Sequence, residues 1–261
     1  MSPFSIHLQS CARGRVLPLA EAGMLSGGPA HRLGSRSTDG NNWRVGTLLT
    51  ATEGHIRLKV VGRAWLAVPG RLHMANCPLL EALDDLPAGS HLFQPERRGW
   101  ALGWITLSDR GASGERQDES GPLLAAALEK ALPLIHSRGF LLSDEPRALR
   151  SLVTDLALTQ GYDLIVTSGG TGLSPRDTTP EALAPLLERR LPGFEQLMLQ
   201  KGLTHTPLAA LSRAIAGTLG QSLVISLPGS RKAVAENIEA ILPILGHALD
   251  KLRGDPSDCG R

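Results

Sequence analysis

The stretch that decides the fold runs from Tyr162 to Leu183 and reads YDLIVTSGGTGLSPRDTTPEAL. The segment up to Ser168 is a continuous apolar run, which is typical of a β-strand buried on both faces. A glycine-rich loop follows, and Thr-Thr-Pro-Glu at 178–181 marks the start of a helix. Such a loop can bring successive backbone N–H groups close to a phosphate. A plain turn explains the spacing equally well, because neither a Walker A motif nor G-x-G-x-x-G is present.

Strands and helices alternate around this stretch. Apolar segments predict strands at 101–108, 139–143, 162–168 and 222–226. Segments with helical spacing and end signals predict helices at 121–132, 146–161 and 231–252. Strands that alternate with helices build βαβ units with right-handed crossovers. We therefore predict an α/β fold, a doubly wound domain with a mostly parallel sheet.

The first part of the chain has a different texture, and the change falls near the sequence PERRGW. We predict a small β-rich domain over residues 1–97 and the α/β domain over residues 98–261. Within the first domain, the sequence predicts strands at 55–61, 64–68 and 90–94, a turn at Gly62 and Arg63, a short helix at 77–86 and a loop at 24–42.

Composition excludes several classes of function. The 261 residues are 42% apolar and carry a formal net charge of +2, so no general basic field attracts nucleic acid or an anionic membrane. No run of 18 apolar residues and no signal peptide is present, which favours a cytoplasmic location. The cysteines at 11, 77 and 259 are far apart, which argues against disulfides and zinc sites. We expect no nucleic-acid or membrane partner.

The loops that follow the strands are the informative ones, because ligands of doubly wound folds bind at the carboxyl ends of strands. These loops are Ser108–Pro122, Ser143–Pro146, Ser168–Glu181 and Leu227–Ala233. In the last of them Pro228, Gly229 and Ser230 turn the chain into a helix N-terminus, with Arg231 and Lys232 alongside. Cations usually favour the other end of a helix, so this loop is a second candidate anion site.

Two carboxylates suggest a metal at the first anion loop. Asp177 beside a phosphate cradle would repel the anion unless it binds Mg²⁺, and Asp144 at the end of another strand would reach the same crevice. From spacing alone, however, an N-terminal helix cap is favoured for Asp144, and an ion pair with Arg176 is the alternative for Asp177. Asp109 fits a ligand contact and turn chemistry equally, whereas Asp118 fits turn chemistry better.

Taken in order, WITLSDRGASGERQDESGP, LLSDEP, VTSGGTGLSPRDTTPEA, LPGFEQLM, LSRA and LPGSRKAV resemble the MogA/MoaB family of molybdenum-cofactor biosynthesis. The resemblance extends from Leu102 to Leu252. It implies a molybdopterin-binding α/β fold, trimers or hexamers, and transfer of AMP from Mg-ATP to the terminal phosphate of molybdopterin, with release of pyrophosphate. It also implies a molybdate-inserting enzyme as a possible partner.

The resemblance assigns roles residue by residue. The family's two functional aspartates correspond to Asp144 and Asp177, as catalytic residues and Mg²⁺ ligands, which reverses the preference for a cap at Asp144. The resemblance carries the anion-binding loops over to Gly169, Gly170, Thr171, Gly172, Gly229 and Ser230. From their place in the loops that follow strands, Ser108, Asp109, Ser168 and Pro228 are further candidates for binding ATP and molybdopterin.

Two other functions remain open at this point. One is a pterin-binding carrier or scaffold of the MoaB type without catalysis, and the other is different chemistry on the same fold, as in MoeA-type or CinA-type relatives. The presence of both aspartates favours the adenylyltransferase. No function is predicted for residues 1–97, where Cys77 fits a buried structural cysteine better than a sulfur-carrier site.

Overall fold

A computed structural model describes residues 3–21, 31–33, 43–67, 74–115 and 117–256. The chain divides into two compact units, Met1–Arg98 and Gly99–Arg261. Most of the loop predicted at 24–42 lies outside the described residues, but a short strand at His31–Leu33 falls within it, so the prediction of an uninterrupted loop is wrong.

The described part of the first unit forms seven strands that close into a small barrel. Its strands are β1 (Phe4–Leu8), β2 (Val16–Glu21), β3 (His31–Leu33), β4 (Leu48–Ala51), β5 (Arg57–Ala67), β6 (Met74–Ala82) and β7 (Gly89–Glu96). They are arranged in the order β1-β3-β2-β6-β5-β4-β7, and β2 pairs with β3 in parallel whereas the other neighbours pair antiparallel. Alternating side chains such as Leu58, Val60 and Leu80 fill the interior.

Two predictions for this unit are wrong. The strands predicted at 55–61 and 64–68 form one strand, because β5 continues through Gly62, which pairs with Leu79 directly after a β-bulge and is not in a turn. Arg63 is held within the sheet, since its guanidinium donates to Asn76 Oδ1 at 2.7 Å and to the Trp43 carbonyl at 3.0 Å. The helix at 77–86 is replaced by β6, because Leu80 and Ala82 point inward while Glu81 points outward in pairing with β5.

The second unit confirms the predicted α/β class and the mostly parallel sheet. Its strands are β8 (Trp100–Leu107), β9 (Leu134–Leu142), β10 (Leu164–Ser168), β11 (Arg189–Arg190), β12 (Ala216–Leu219) and β13 (Ser222–Leu227). Its α-helices are α1 (Asp109–Ala112), α2 (Ser120–Ala131), α3 (Pro146–Thr154), α4 (Thr179–Leu183), α5 (Pro192–Leu203) and α6 (Arg231–Leu252). The predicted helix at 146–161 continues beyond α3 as a π-helical turn, which ends at Gly161 with a φ of 74°.

Both faces of this sheet are covered. One face packs on α2, α5 and α6 through a core that includes Leu102, Val166 and Ile238. On the other face Leu156 lies so close to Gly103 of β8 that a Cβ there would be 3.3 Å from it. The continuous apolar runs of β8, β10 and β13 follow from burial on both sides.

The topology brings the predicted loops to one edge. The sheet order is β11-β12-β13-β10-β8-β9, and β13, β10, β8 and β9 are parallel. In register, Ser168 pairs with Thr106 and Leu227, and Leu107 pairs with Leu142, so these four strands end in one row. The chain passes from β8 outward to β9 and then back across to β10. This reversal opens a crevice at the carboxyl ends of β8 and β10.

Among the described residues, no helix has the length and apolar character needed to cross a membrane.

Candidate functional site

Loops at this carboxyl edge enclose a cleft with a volume of about 600 Å³. They follow β8, β9, β10 and β13, and every residue of the predicted site except Ser168 lines the cleft. Ser168 is buried, and its hydroxyl donates to the Pro228 carbonyl at 3.2 Å. Its place is therefore between two of the loops and not on the surface that a ligand would meet.

The loop after β10 has a backbone that requires glycine. Gly169 has a φ of 113° and Gly170 a φ of 63°. A Cβ on Gly169 would lie 2.5 Å from the carbonyl oxygen of Leu107, so the loop passes too close to β8 for a side chain. Thr179 closes the loop from behind, since its hydroxyl donates to the Gly169 carbonyl at 2.9 Å and its N–H to the Gly170 carbonyl at 3.0 Å.

This arrangement leaves N–H groups available at the cleft. Gly169 donates its N–H to the Leu227 carbonyl at 3.1 Å. The N–H groups of Gly170, Thr171 and Gly172 have no acceptor among the residues that the structure describes. Because backbone N–H groups seek a partner, three free ones in a glycine loop make an anion-binding concavity.

Asp144 is not a helix cap. The carboxylate of Glu145 caps α3 instead, accepting from the N–H of Arg147 at 2.8 Å and of Ala148 at 2.6 Å. The pKa of Asp144 is raised, first by burial and then by the negative charge of Asp177. The cap predicted from spacing is therefore wrong by one residue, and Asp144 lines the cleft together with Asp177.

Asp177 is held by its own loop. Its Oδ2 accepts from the Ser174 N–H at 2.9 Å, and its N–H donates to the Ser174 carbonyl at 2.8 Å. Arg176 forms its ion pair with Asp109, so the alternative pairing of Arg176 with Asp177 does not form. Asp109 also accepts from the Asp144 N–H at 2.9 Å. Asp109 thus connects the loops that carry the two aspartates.

Asp144 and Asp177 could hold a magnesium ion only if a substrate completed its coordination. Within the described ranges no group of three or more His, Cys, Asp or Glu residues could hold a metal by itself. Mg²⁺ commonly takes one or two carboxylates and completes its shell with phosphate oxygens and water. The proximity of Asp144 and Asp177, which disfavours ionisation of Asp144, is the electrostatic condition that such a cation would relieve.

The loop after β13 is built differently. Ser230 caps α6, with its hydroxyl accepting from the Ala233 N–H at 3.3 Å. Arg231 pairs with Glu119 at 3.4 Å, and Lys232 with Glu236 at 3.8 Å. Both cations that suggested an anion site are thus matched by carboxylates. Gly229 packs against the first loop, where a Cβ would lie 3.3 Å from the Gly169 Cα.

The remaining predicted polar residues have structural contacts. Ser108 caps α1 by accepting from the Gly111 N–H at 3.1 Å. Asp118 accepts from the Thr106 hydroxyl at 2.7 Å and from the Gly121 N–H at 3.0 Å. These bonds confirm the prediction that Asp118 has a structural role. Sequence reasoning missed Arg213, whose Nε donates to the Gly172 carbonyl of the glycine loop. Its one signal was its place in the LSRA segment.

The fold and this cleft define a family. A family model described as "Probable molybdopterin binding domain" matches residues 103–247, more than half of the chain. The chain belongs to this family, and its resemblance to MogA and MoaB is confirmed, with an additional N-terminal region.

Individual relatives agree with this assignment. The chain is 36% identical over 193 residues to gephyrin of Dictyostelium discoideum, covering 70% of this chain and 26% of that protein. It is 37% identical over 151 residues to molybdopterin adenylyltransferase of Haemophilus influenzae, covering 58% of this chain and 77% of that protein. The solved structure of the molybdopterin biosynthesis enzyme MoaB of Thermus thermophilus matches with 43% identity and a TM-score of 0.56, covering 61% of this chain and 99% of that one. The chain thus spans about a quarter of the gephyrin relative and most of the other two relatives.

Proposed function

We propose that this protein is a molybdopterin adenylyltransferase, which transfers AMP from Mg-ATP to the phosphate of molybdopterin and releases pyrophosphate. The observation that carries the proposal is the placement of Asp144 and Asp177 together beside the free N–H groups of the glycine loop. The similarity to the H. influenzae adenylyltransferase supports it.

The residues divide the task. The N–H groups of Gly170, Thr171 and Gly172 bind phosphate oxygens in a fixed orientation. Asp144 and Asp177 would hold Mg²⁺, which would supply positive charge to offset that of the triphosphate. No general base is assigned, because a phosphate nucleophile is already ionised at neutral pH. Catalysis then depends on positioning and on charge complementarity.

The test is a reaction of the full-length protein with molybdopterin and Mg-ATP, followed by measurement of pyrophosphate and adenylylated molybdopterin. We expect Asp177→Asn and Asp144→Asn each to lower turnover by at least about 100-fold, since each removes half of the metal-binding carboxylate pair. Asp250→Asn is the matched control, because that exposed aspartate lies near the far end of α6 from the cleft.

One outcome favours the carrier alternative. If the wild-type protein binds molybdopterin but makes no pyrophosphate, and both variants bind pterin as tightly as wild type, the protein is a pterin carrier and the catalytic proposal is wrong.

Assembly and location belong to the same proposal. We infer a homotrimer or hexamer in the cytoplasm that passes its product to a molybdate-inserting enzyme, and separate folding of residues 1–97 and 98–261. Light scattering of the purified protein checks the mass of the assembly. Expression of residues 98–261 alone checks the domain boundary, with a cooperative unfolding transition as the expected result.

A further inference from the structure

We propose that Arg213 is a positioning residue, which holds the glycine loop and Asp177 in their working geometry from outside the cleft. This proposal rests on the proposed function, since the loop and Asp177 are the parts that it assigns to phosphate and metal. Arg213 lies just before β12 and does not line the cleft itself.

The contacts of Arg213 converge on carbonyl groups of one loop. Its backbone N–H donates to the Thr171 carbonyl at 2.9 Å, and its Nε to the Gly172 carbonyl at 2.8 Å. Its Nη2 donates to the Asp177 carbonyl, and its Nη1 forms an ion pair with Glu181 at the start of α4. One residue therefore supplies donors to both ends of the segment 171–177.

These contacts occupy the carbonyl groups of a loop whose N–H groups have no acceptor among the described residues. When N–H groups point to one side, the carbonyl groups of the same loop turn to the other side and need donors there. Arg213 supplies them with a planar, always charged fork. A donor on the Thr171 carbonyl also polarises that peptide unit, which strengthens the Gly172 N–H as a donor to an anion.

The same contacts fix the metal-binding carboxylate. The hydrogen bond to the Asp177 carbonyl holds the backbone from which the carboxylate projects. The bond from Ser174 N–H to Oδ2 then sets the direction of the side chain. Loss of the fork would leave both aspartates present but would let Asp177 and the N–H groups of the loop move relative to each other.

The experiment replaces Arg213 by lysine in the full-length protein. Lysine keeps the charge and the backbone N–H but cannot bridge Gly172, Asp177 and Glu181 at once. The matched control is Arg189→Lys, because Arg189 is an exposed arginine of the same unit that lies outside the cleft.

Three experiments are made on each variant: thermal unfolding, hydrogen exchange of a peptide covering 169–178, and an ATP binding and turnover assay that gives both the ATP dissociation constant and kcat. For Arg213→Lys we expect faster exchange confined to this peptide and an ATP dissociation constant raised about tenfold. We expect kcat to fall about 100-fold, as for a displaced catalytic group. Arg189→Lys should leave all three unchanged.

Glu181→Gln tests whether Arg213 acts through its ion pair with Glu181 or through its hydrogen bonds to the carbonyl groups of the loop. It removes the charged partner of Arg213 but leaves the three bonds to Thr171, Gly172 and Asp177. We expect its effects on exchange and on kcat to be much smaller than those of Arg213→Lys. Equal effects would overturn the proposal, because the ion pair alone would then be responsible.

Other results also decide the matter. Unchanged exchange and ATP affinity in Arg213→Lys would overturn the proposal. A loss of thermal stability with faster exchange throughout the α/β unit would overturn it in favour of a general structural role. If wild type makes no pyrophosphate, the adenylyltransferase proposal is wrong, but ATP binding and exchange still test Arg213.

Discussion

The loops after β10 and β13 look alike in sequence and differ in the structure. Both combine glycine with a helix start, and both predict an anion site. In the first, the glycine backbone leaves three N–H groups without acceptors among the described residues. In the second, Ser230 occupies the helix end as a cap, and Arg231 and Lys232 pair with carboxylates.

The difference shows what makes an anion site out of a glycine loop. Glycine and a helix N-terminus supply donors, but a cap and neighbouring carboxylates can use them internally. In the first loop Thr179 and Arg213 satisfy the carbonyl groups, and no described residue accepts from the N–H groups of Gly170, Thr171 and Gly172. We therefore expect changes in the first loop to lower turnover, whether or not they also destabilise the fold, and changes in the second loop to affect stability alone.

The largest effect is expected from Gly169→Ala. Its φ of 113° is strained for alanine, and its Cβ would lie 2.5 Å from a backbone oxygen of β8 that cannot move away. We expect a loss of about 3 kcal/mol in the free energy of unfolding and at least about a 100-fold loss in turnover. Urea unfolding and the pyrophosphate assay measure both.

Gly229→Ala is the control in the second loop. Its backbone has no positive φ, and its Cβ would meet the Gly169 Cα at 3.3 Å, a contact that a small shift relieves. The free energy of unfolding should fall by less than about 1.5 kcal/mol, as expected for mild overpacking. Equal losses for the two alanine variants would contradict the distinction between the loops.

Gly172→Ala should lower turnover but leave stability nearly unchanged, although it also lies in the first loop. A Cβ at this position would lie 2.8 Å from Asp177 Oδ2, which is the movable end of a side chain. The carboxylate can rotate away at little cost to folding but then leaves its working position. We expect about a tenfold loss of turnover and an unfolding free energy within about 0.5 kcal/mol of wild type. A matching loss of stability would show that the loop backbone has moved instead.

The sequence predicted that most of the candidate residues lie at one edge of the sheet, because they follow strands, whereas their functional roles came from the family resemblance. Four parallel strands end in one row, so Asp144 and Asp177 meet although 33 positions separate them in sequence. Spacing could not tell which of the adjacent carboxylates, Asp144 or Glu145, caps α3, because the choice depends on the residue at which the helix begins. Arg213 escaped prediction because all its partners except Glu181 are backbone carbonyls, which leave no pattern in side-chain chemistry.

The barrel was harder to predict for a physical reason. The β-rich character of the unit was visible in the alternation of Leu58 and Val60. The segment 77–86 carries leucines at spacings that suit a helix, and long-range pairing with β5 outweighed that local preference. Similarly, Gly62 is typical of both a turn and a bulge, and the partner strand selects the bulge.

Substitutions of Ser230 test whether the second loop is a cap or an anion site. Ser230→Ala should cost about 1 kcal/mol of stability, because it removes the cap of α6. Ser230→Asp keeps a good cap but places a negative charge at the helix end. If the loop acts only as a cap, Ser230→Asp retains both stability and ATP affinity. Weaker ATP binding in this variant would show that the anion approaches the second loop as well.

The smallest expected effect is a gain in stability, in contrast to the losses predicted above, and it depends on pH. Burial and the charge of Asp177 raise the pKa of Asp144 in the folded protein above its value in the unfolded chain. The folded state therefore holds this proton more tightly, and the associated stability is present below the unfolded pKa and lost as pH rises through the folded pKa.

Asp144→Asn should accordingly stabilise the protein at neutral pH without metal, by less than about 3 °C in melting temperature. It should give no gain at a pH below the unfolded pKa, where wild-type Asp144 is already neutral. Saturating Mg²⁺ with ATP should reduce the gain, because a cation that binds both carboxylates would stabilise the wild type more than the variant. A variant that is less stable than wild type at neutral pH would contradict this view. Asp144, in the loop after β9, would then be a carboxylate that serves folding, as the cap of the second loop does.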